Sequence, residues 1–189
     1  ATWSGTGNTR TLTYTISAGQ NGQAAIDEAA LESALIAGIT DAAGNAFAYS
    51  GDISDIDVSP LPVVDTTAPT LASTAPAVVA STIAGTADTG ETIALTLTFD
   101  GTVNGLTSGT DSTIFTVAGS GVSATWSGTG NTRTLTYTIS AGQNGQAAIH
   151  EAALKAALIA GITDTAGNAF AYSDDISNID VSPLPVVDG

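Results

Sequence analysis

Carboxylates are the side chains with the most chemistry to offer in this sequence, and they recur in register. Asp41, Asp57 and Asp65 return 123 residues later as Asp164, Asp180 and Asp188. A hard cation such as Ca2+ takes six to eight oxygen ligands, mostly carboxylates and carbonyls. These six aspartates are therefore the candidate metal ligands, with Asp52, Asp55, Asp174 and Asp175 nearby in the chain. No EF-hand spacing is present, so the signal is one of composition. Asp41 and Asp164 each open an Asp-x-Ala-Gly-Asn stretch, where the carboxylate can equally cap its own turn. Both readings stand at this stage.

Other chemistry is sparse. The only histidine, His150, is replaced by Asp27 in the other copy. No nucleophile–base pair recurs across the copies, as covalent catalysis would require. Gly128-Thr129-Gly130 has no following helix and so no phosphate-binding context. The expectation is a protein that is not an enzyme. Cysteine is absent, which excludes disulfides and thiolate metal sites. The single lysine, Lys155, is replaced by Glu32 in the first copy, which excludes a repeated isopeptide staple. The 3 basic and 18 acidic residues give a net charge of −15. That sign argues against nucleic acid and against anionic membrane surfaces as partners. It suits cations, high salt and mutual repulsion along a fibre.

The elements that must position these residues follow from hydrophobic period. In Thr11–Ile16, Leu12, Tyr14 and Ile16 alternate with Thr11, Thr13 and Thr15, which predicts a half-buried strand with its apolar face inward. Glu91–Phe99 alternates in the same way, with Ile93, Leu95, Leu97 and Phe99 inward. The outward threonine rows are either a solvated β-branched face or a glycan- or ice-binding surface. Thr113–Val117 and Val122–Trp126 read as two further strands. The period changes over Gln23–Ala37 and Gln146–Ala160, which are rich in Ala and Leu and predict a short helix closed by Gly38 or Gly161. The two prolines of Ser59-Pro60-Leu61-Pro62-Val63-Val64-Asp65 favour a stiff extended segment and bar a central strand.

All of this sits on a duplication. Ala1–Asp65 and Ala124–Asp188 differ at six positions: Asp27/His150, Glu32/Lys155, Ser33/Ala156, Ala42/Thr165, Gly51/Asp174 and Asp55/Asn178. Repeats this long and this alike predict a tandem array. One complete repeat carries about seven strands at the spacing of an antiparallel sandwich, plus one short helix.

The chain resembles the bacterial immunoglobulin-like repeats of large secreted surface adhesins. The resemblance rests on the linker-like Asp65-Thr66-Thr67-Ala68-Pro69-Thr70, the long strand Glu91–Phe99, the strand and loop Arg133–Gly145, and the Asp-x-Ala-Gly-Asn turns within Ile39–Ala46 and Ile162–Ala169. It implies an all-β fold of Ig-like Greek-key β-sandwich repeats, with residues 1–65 the C-terminal part of one repeat and 66–189 a complete one. It also implies an extracellular, cell-surface rod whose partners are the neighbouring repeats of the same chain, with Ca2+ stiffening the repeat junctions. Two alternatives remain open: a self-associating filament or biofilm-matrix subunit completed by strands of an identical molecule, and a glycan- or ice-binding module.

Overall fold

The computed structural model describes residues 1–49, 60–72, 77–80, 85–172 and 184–189. The chain divides into two compact units, Ala1–Thr66 and Thr67–Gly189. Taken together the described residues are β-rich, and two short helices lie among them.

In the first unit, β1 (Thr2–Ser4) pairs antiparallel with β2 (Thr11–Thr13), setting Trp3 opposite Leu12. β3 (Gly22–Gln23) pairs antiparallel with β4 (Val63–Val64), and α1 (Glu28–Gly38) lies between them in sequence.

In the second unit the strands are β5 (Ala77–Ala80), β6 (Thr86–Asp88), β7 (Thr92–Thr98), β8 (Val103–Asn104), β9 (Thr110–Asp111) and β10 (Phe115–Val117). They continue as β11 (Ser120–Gly121), β12 (Ala124–Ser127), β13 (Thr132–Thr138), β14 (Asn144–Ile149), β15 (Thr163–Asp164) and β16 (Val186–Asp188), with α2 (Glu151–Gly161) after β14. One five-stranded sheet has the order β11-β10-β14-β16-β6, another β5-β7-β13-β12-β9, and β15 pairs separately with β8. The described pairings are antiparallel except that of β16 with β6.

The two sheets share one hydrophobic core. β7 contributes Ile93, Leu95 and Leu97, β13 contributes Leu135 and Tyr137, and β12 contributes Trp126. Phe115 and Val117 of β10, Ala147 of β14 and Val187 of β16 meet them from the other sheet. Leu154 and Leu158, four residues apart on one face of α2, close the cluster. Phe99 meets Phe170 edge to face at 5.8 Å between centroids. The strict alternation of β7 and β13 makes this possible, because every second side chain points to the same face.

Two sequence expectations need correction. The helices begin at Glu28 and Glu151, and not at Gln23 and Gln146. Gln146–Ile149 belongs to β14, held between β10 and β16, so sheet pairing overrides the helical preference of Gln-Ala-Ala. The residues after the prolines of the second copy, Val186–Asp188, do enter a sheet interior, since β16 lies between β14 and β6. They follow Pro185, so no ladder donor is lost within the strand itself.

Candidate functional site

The recurring aspartates fall into distinct settings. Asp41 Oδ1 accepts from the backbone N–H of Ala43 at 2.9 Å and of Asn45 at 2.8 Å, and Oδ2 accepts from Asn45 Nδ2 at 2.8 Å. Asp164 repeats the pattern: Oδ1 accepts from Asn168 N and Oδ2 from Asn168 Nδ2, both at 2.8 Å. Gly44 and Gly167 supply the positive φ that the turn needs. The side-chain hydrogen bond from Asn45 is the main reason the Asp41 carboxyl lies below the usual carboxylate range. Burial pushes the Asp164 carboxyl up, and the N–H donors of Asn168, Ala166 and Gly167 outweigh it, leaving it lowered. Each carboxylate turns both oxygens to its own turn, the geometry of an Asx-turn.

Asp65 follows β4, and Asp188 closes β16 opposite Asn144; both are exposed. Exposed carboxylates at strand ends fit a Ca2+ ligand set chemically. Asp57 and Asp180, with Asp52, Asp55, Asp174 and Asp175, lie outside the described residues. Among the described residues, no three acidic or histidine side chains gather into a cation cage. His150 is exposed at the N-cap of α2, without a side-chain capping bond.

Other polar sites were not evident from sequence. Asp100 Oδ1 accepts from Thr70 N at 3.0 Å and Oδ2 from Thr70 Oγ1 at 2.7 Å, fastening the entry segment to the end of β7. The backbone bond from Thr70 leads the lowering of the Asp100 pKa. Arg133 is buried, and its guanidinium donates to the carbonyls of Val103, Gly105, Gly130 and Thr132. A charged side chain in a core is tolerated because its donors are spent on carbonyls. Gly105, at φ +85°, approaches so closely that a Cβ would lie 1.8 Å from the Gly161 carbonyl oxygen. On the outward face, Thr98, Thr96 and Thr92 stand opposite Thr132, Thr134 and Thr138, with Thr96 and Thr134 hydroxyls 3.1 Å apart.

The largest difference from expectation lies in the first unit. Leu12, Tyr14 and Ile16, predicted to face a core, are 42%, 56% and 50% exposed, and Trp3 is 45% exposed. Their counterparts Leu135, Tyr137, Ile139 and Trp126 are at most 3% exposed. The side chains are the same; what differs is that in the second unit β7 extends the sheet beside β13, and β10 brings Phe115 to 6.2 Å from Tyr137 between ring centroids. In the first unit they line a groove of about 730 Å3, together with Leu31 and Ala34 of α1 and Leu61. A smaller hollow of about 330 Å3 lies beside Arg10, Thr40 and Asp41.

No protein-family model, curated protein or solved structure matches this chain.

Proposed function

We propose that the chain is a spacer from an extracellular bacterial surface fibre or adhesin, built of tandem Ig-like Greek-key β-sandwich repeats, with length and stiffness as its work and no reaction to catalyse. The observation that carries this reading is the 123-residue period: 59 of 65 residues recur, since six differ, and residues 67–189 close a core of their own. A duplicated module that buries its own core adds length with each copy, as array proteins do. The reading is supported also by the fastening of Thr70 to Asp100, which ties the segment after the unit boundary to the body of the second unit. Such anchoring leaves fewer free residues between one repeat and the next. Ca2+ held by Asp65, Asp188 and neighbouring carbonyls would add to it by mass action.

Small-angle scattering on arrays of two, three and four repeats of residues 66–188 tests the rod. The expected result is a maximum dimension that rises by a constant increment per repeat, and falls when Ca2+ is exchanged for a chelator. A dimension that grows only as a compact globule would, whatever the cation, overturns the reading.

A further inference from the structure

We infer that the open face of the first unit is a docking groove for an additional segment of the same kind as residues 67–123, supplied from outside the 189 residues. The inference rests on the duplicated-module reading, though not on an extracellular location. The second unit displays the occupant in place. There β7 lies antiparallel on β13, with Leu135 opposite Leu95, Tyr137 opposite Ile93 and Arg133 opposite Leu97. Shifted by the repeat length of 123, the first unit presents Leu12, Tyr14 and Arg10 at the same positions. The incoming strand is therefore antiparallel, with Leu95-, Ile93- and Leu97-like residues opposite Leu12, Tyr14 and Arg10.

Arg10 adds a polar half to the recognition. Its guanidinium already donates to Gly7 O at 3.0 Å and Thr9 O at 2.8 Å, the counterparts of Gly130 O and Thr132 O around Arg133. The remaining two acceptors of Arg133 are the carbonyls of Val103 and Gly105, both from the covering segment. In the second unit that stretch also pairs with Thr163 and Asp164. The counterparts Thr40 and Asp41 border the smaller hollow beside Arg10. Two hollows thus match parts of one segment: the larger takes β7 beside Leu12 and Tyr14 and β10 beside Ala24–Ile26, the smaller the β8 loop.

The chain cannot supply this segment from its own residues. In the second unit Thr70 is held at the Asp100 end of β7, while Gly189, after the Asp65 counterpart, is bonded to Gln143 near the Gly90 end. The ten residue steps from Gly90 to Asp100, at about 3.3 Å each, put these ends roughly 30 Å apart. The five residues from Asp65 to Thr70 reach about 18 Å at most. A second intact copy has none to spare either. Each chain holds two acceptor halves and one covering segment, so donation would open as much apolar surface as it closed.

Trp3 reports on the groove, since residues 67–123 contain no tryptophan and Trp126 is the other indole. The test titrates the full chain carrying Trp126→Phe with a synthetic segment of residues 67–123 and follows Trp3 emission and acrylamide quenching. The unsubstituted chain, where Trp126 is already buried, serves in parallel. The expected result is a saturable one-to-one blue shift and loss of quenching, abolished by Leu12→Asp and weakened about tenfold by Arg10→Ala, as lost bonds to a charged donor would be. The same segment joined ahead of Ala1, as Ser123 joins Ala124, is expected to shield Trp3 as fully as Trp126. Trp3 that stays quenchable in the joined chain, or binding unaffected by both substitutions, overturns the proposal. So does Trp3 shielded without any segment in a species whose mass grows with concentration, because the occupant is then a second copy. Scattering from the repeat arrays reads length and is independent of each of these outcomes.

Discussion

At the residue scale, the aspartates divide by what their oxygens touch. Asp164 spends both on Asn168, and Asp100 both on Thr70, so these groups hold turns and fastenings together. Their carboxyls are lowered from 3.8. A lowered folded value means that the folded state prefers the ionised form. The stabilisation is thus complete above the unfolded value and is lost as pH falls through the folded one. Acidification also relieves the repulsion within a net charge of −15, so the clean measurement is a difference. Urea unfolding of the parent and of Asp164→Asn is expected to show the parent ahead by about 1 kcal/mol at pH 6, with the gap closing as pH falls below the ordinary carboxylate value of 3.8. A gap that widens on acidification contradicts this role. Sequence made the Asx-turn reading of Asp164 available, because Asp-x-Ala-Gly-Asn carries its own turn chemistry. It gave no sign of the Thr70–Asp100 clamp or of buried Arg133, because both depend on partners about 30 residues away.

At the element scale, periodicity was a good guide wherever a strand has one wet face and one dry one. Ile93, Leu95 and Leu97 of β7 and Leu135 and Tyr137 of β13 are buried as the alternation requires. The start of the helix was misplaced because Gln-Ala-Ala-Ile suits either state; in the second unit the pairing with β10 and β16 decides. The true starts explain one of the six differences between copies. Asp27 caps α1, its side chain accepting from Ala30 N at 3.0 Å, whereas His150 makes no such bond at the head of α2. His150→Asp is expected to raise the stability of the second unit by about 0.5–1 kcal/mol, seen as a higher thermal midpoint. An unchanged or lower midpoint would show that the cap is not the limiting contact there. Lys155, another of the six, places its Nζ 5.9 Å from the Tyr172 ring centroid, an arrangement that Glu32 cannot make.

At the scale of the whole molecule, the duplication was plain from sequence, and the unequal fate of the two copies follows from counting strands. Side chains of one identity are buried at Trp126, Leu135 and Tyr137 and exposed at Trp3, Leu12 and Tyr14. Burial is a property of the covering segment as much as of the residue covered. A core closed between two sheets needs both, and residues 1–66 hold only part of what fills the core in residues 67–189. The repeat itself provides the measurement of this contrast. Thr11–Ser17 and Thr134–Ser140 have the same sequence, so a peptide cut from either has one mass. Hydrogen exchange of the intact chain, read on that shared peptide, is expected to give two isotope envelopes of equal area. One would exchange fast and the other would be retained for as long as the second unit stays folded. A single envelope, with both copies exchanging alike, would contradict it.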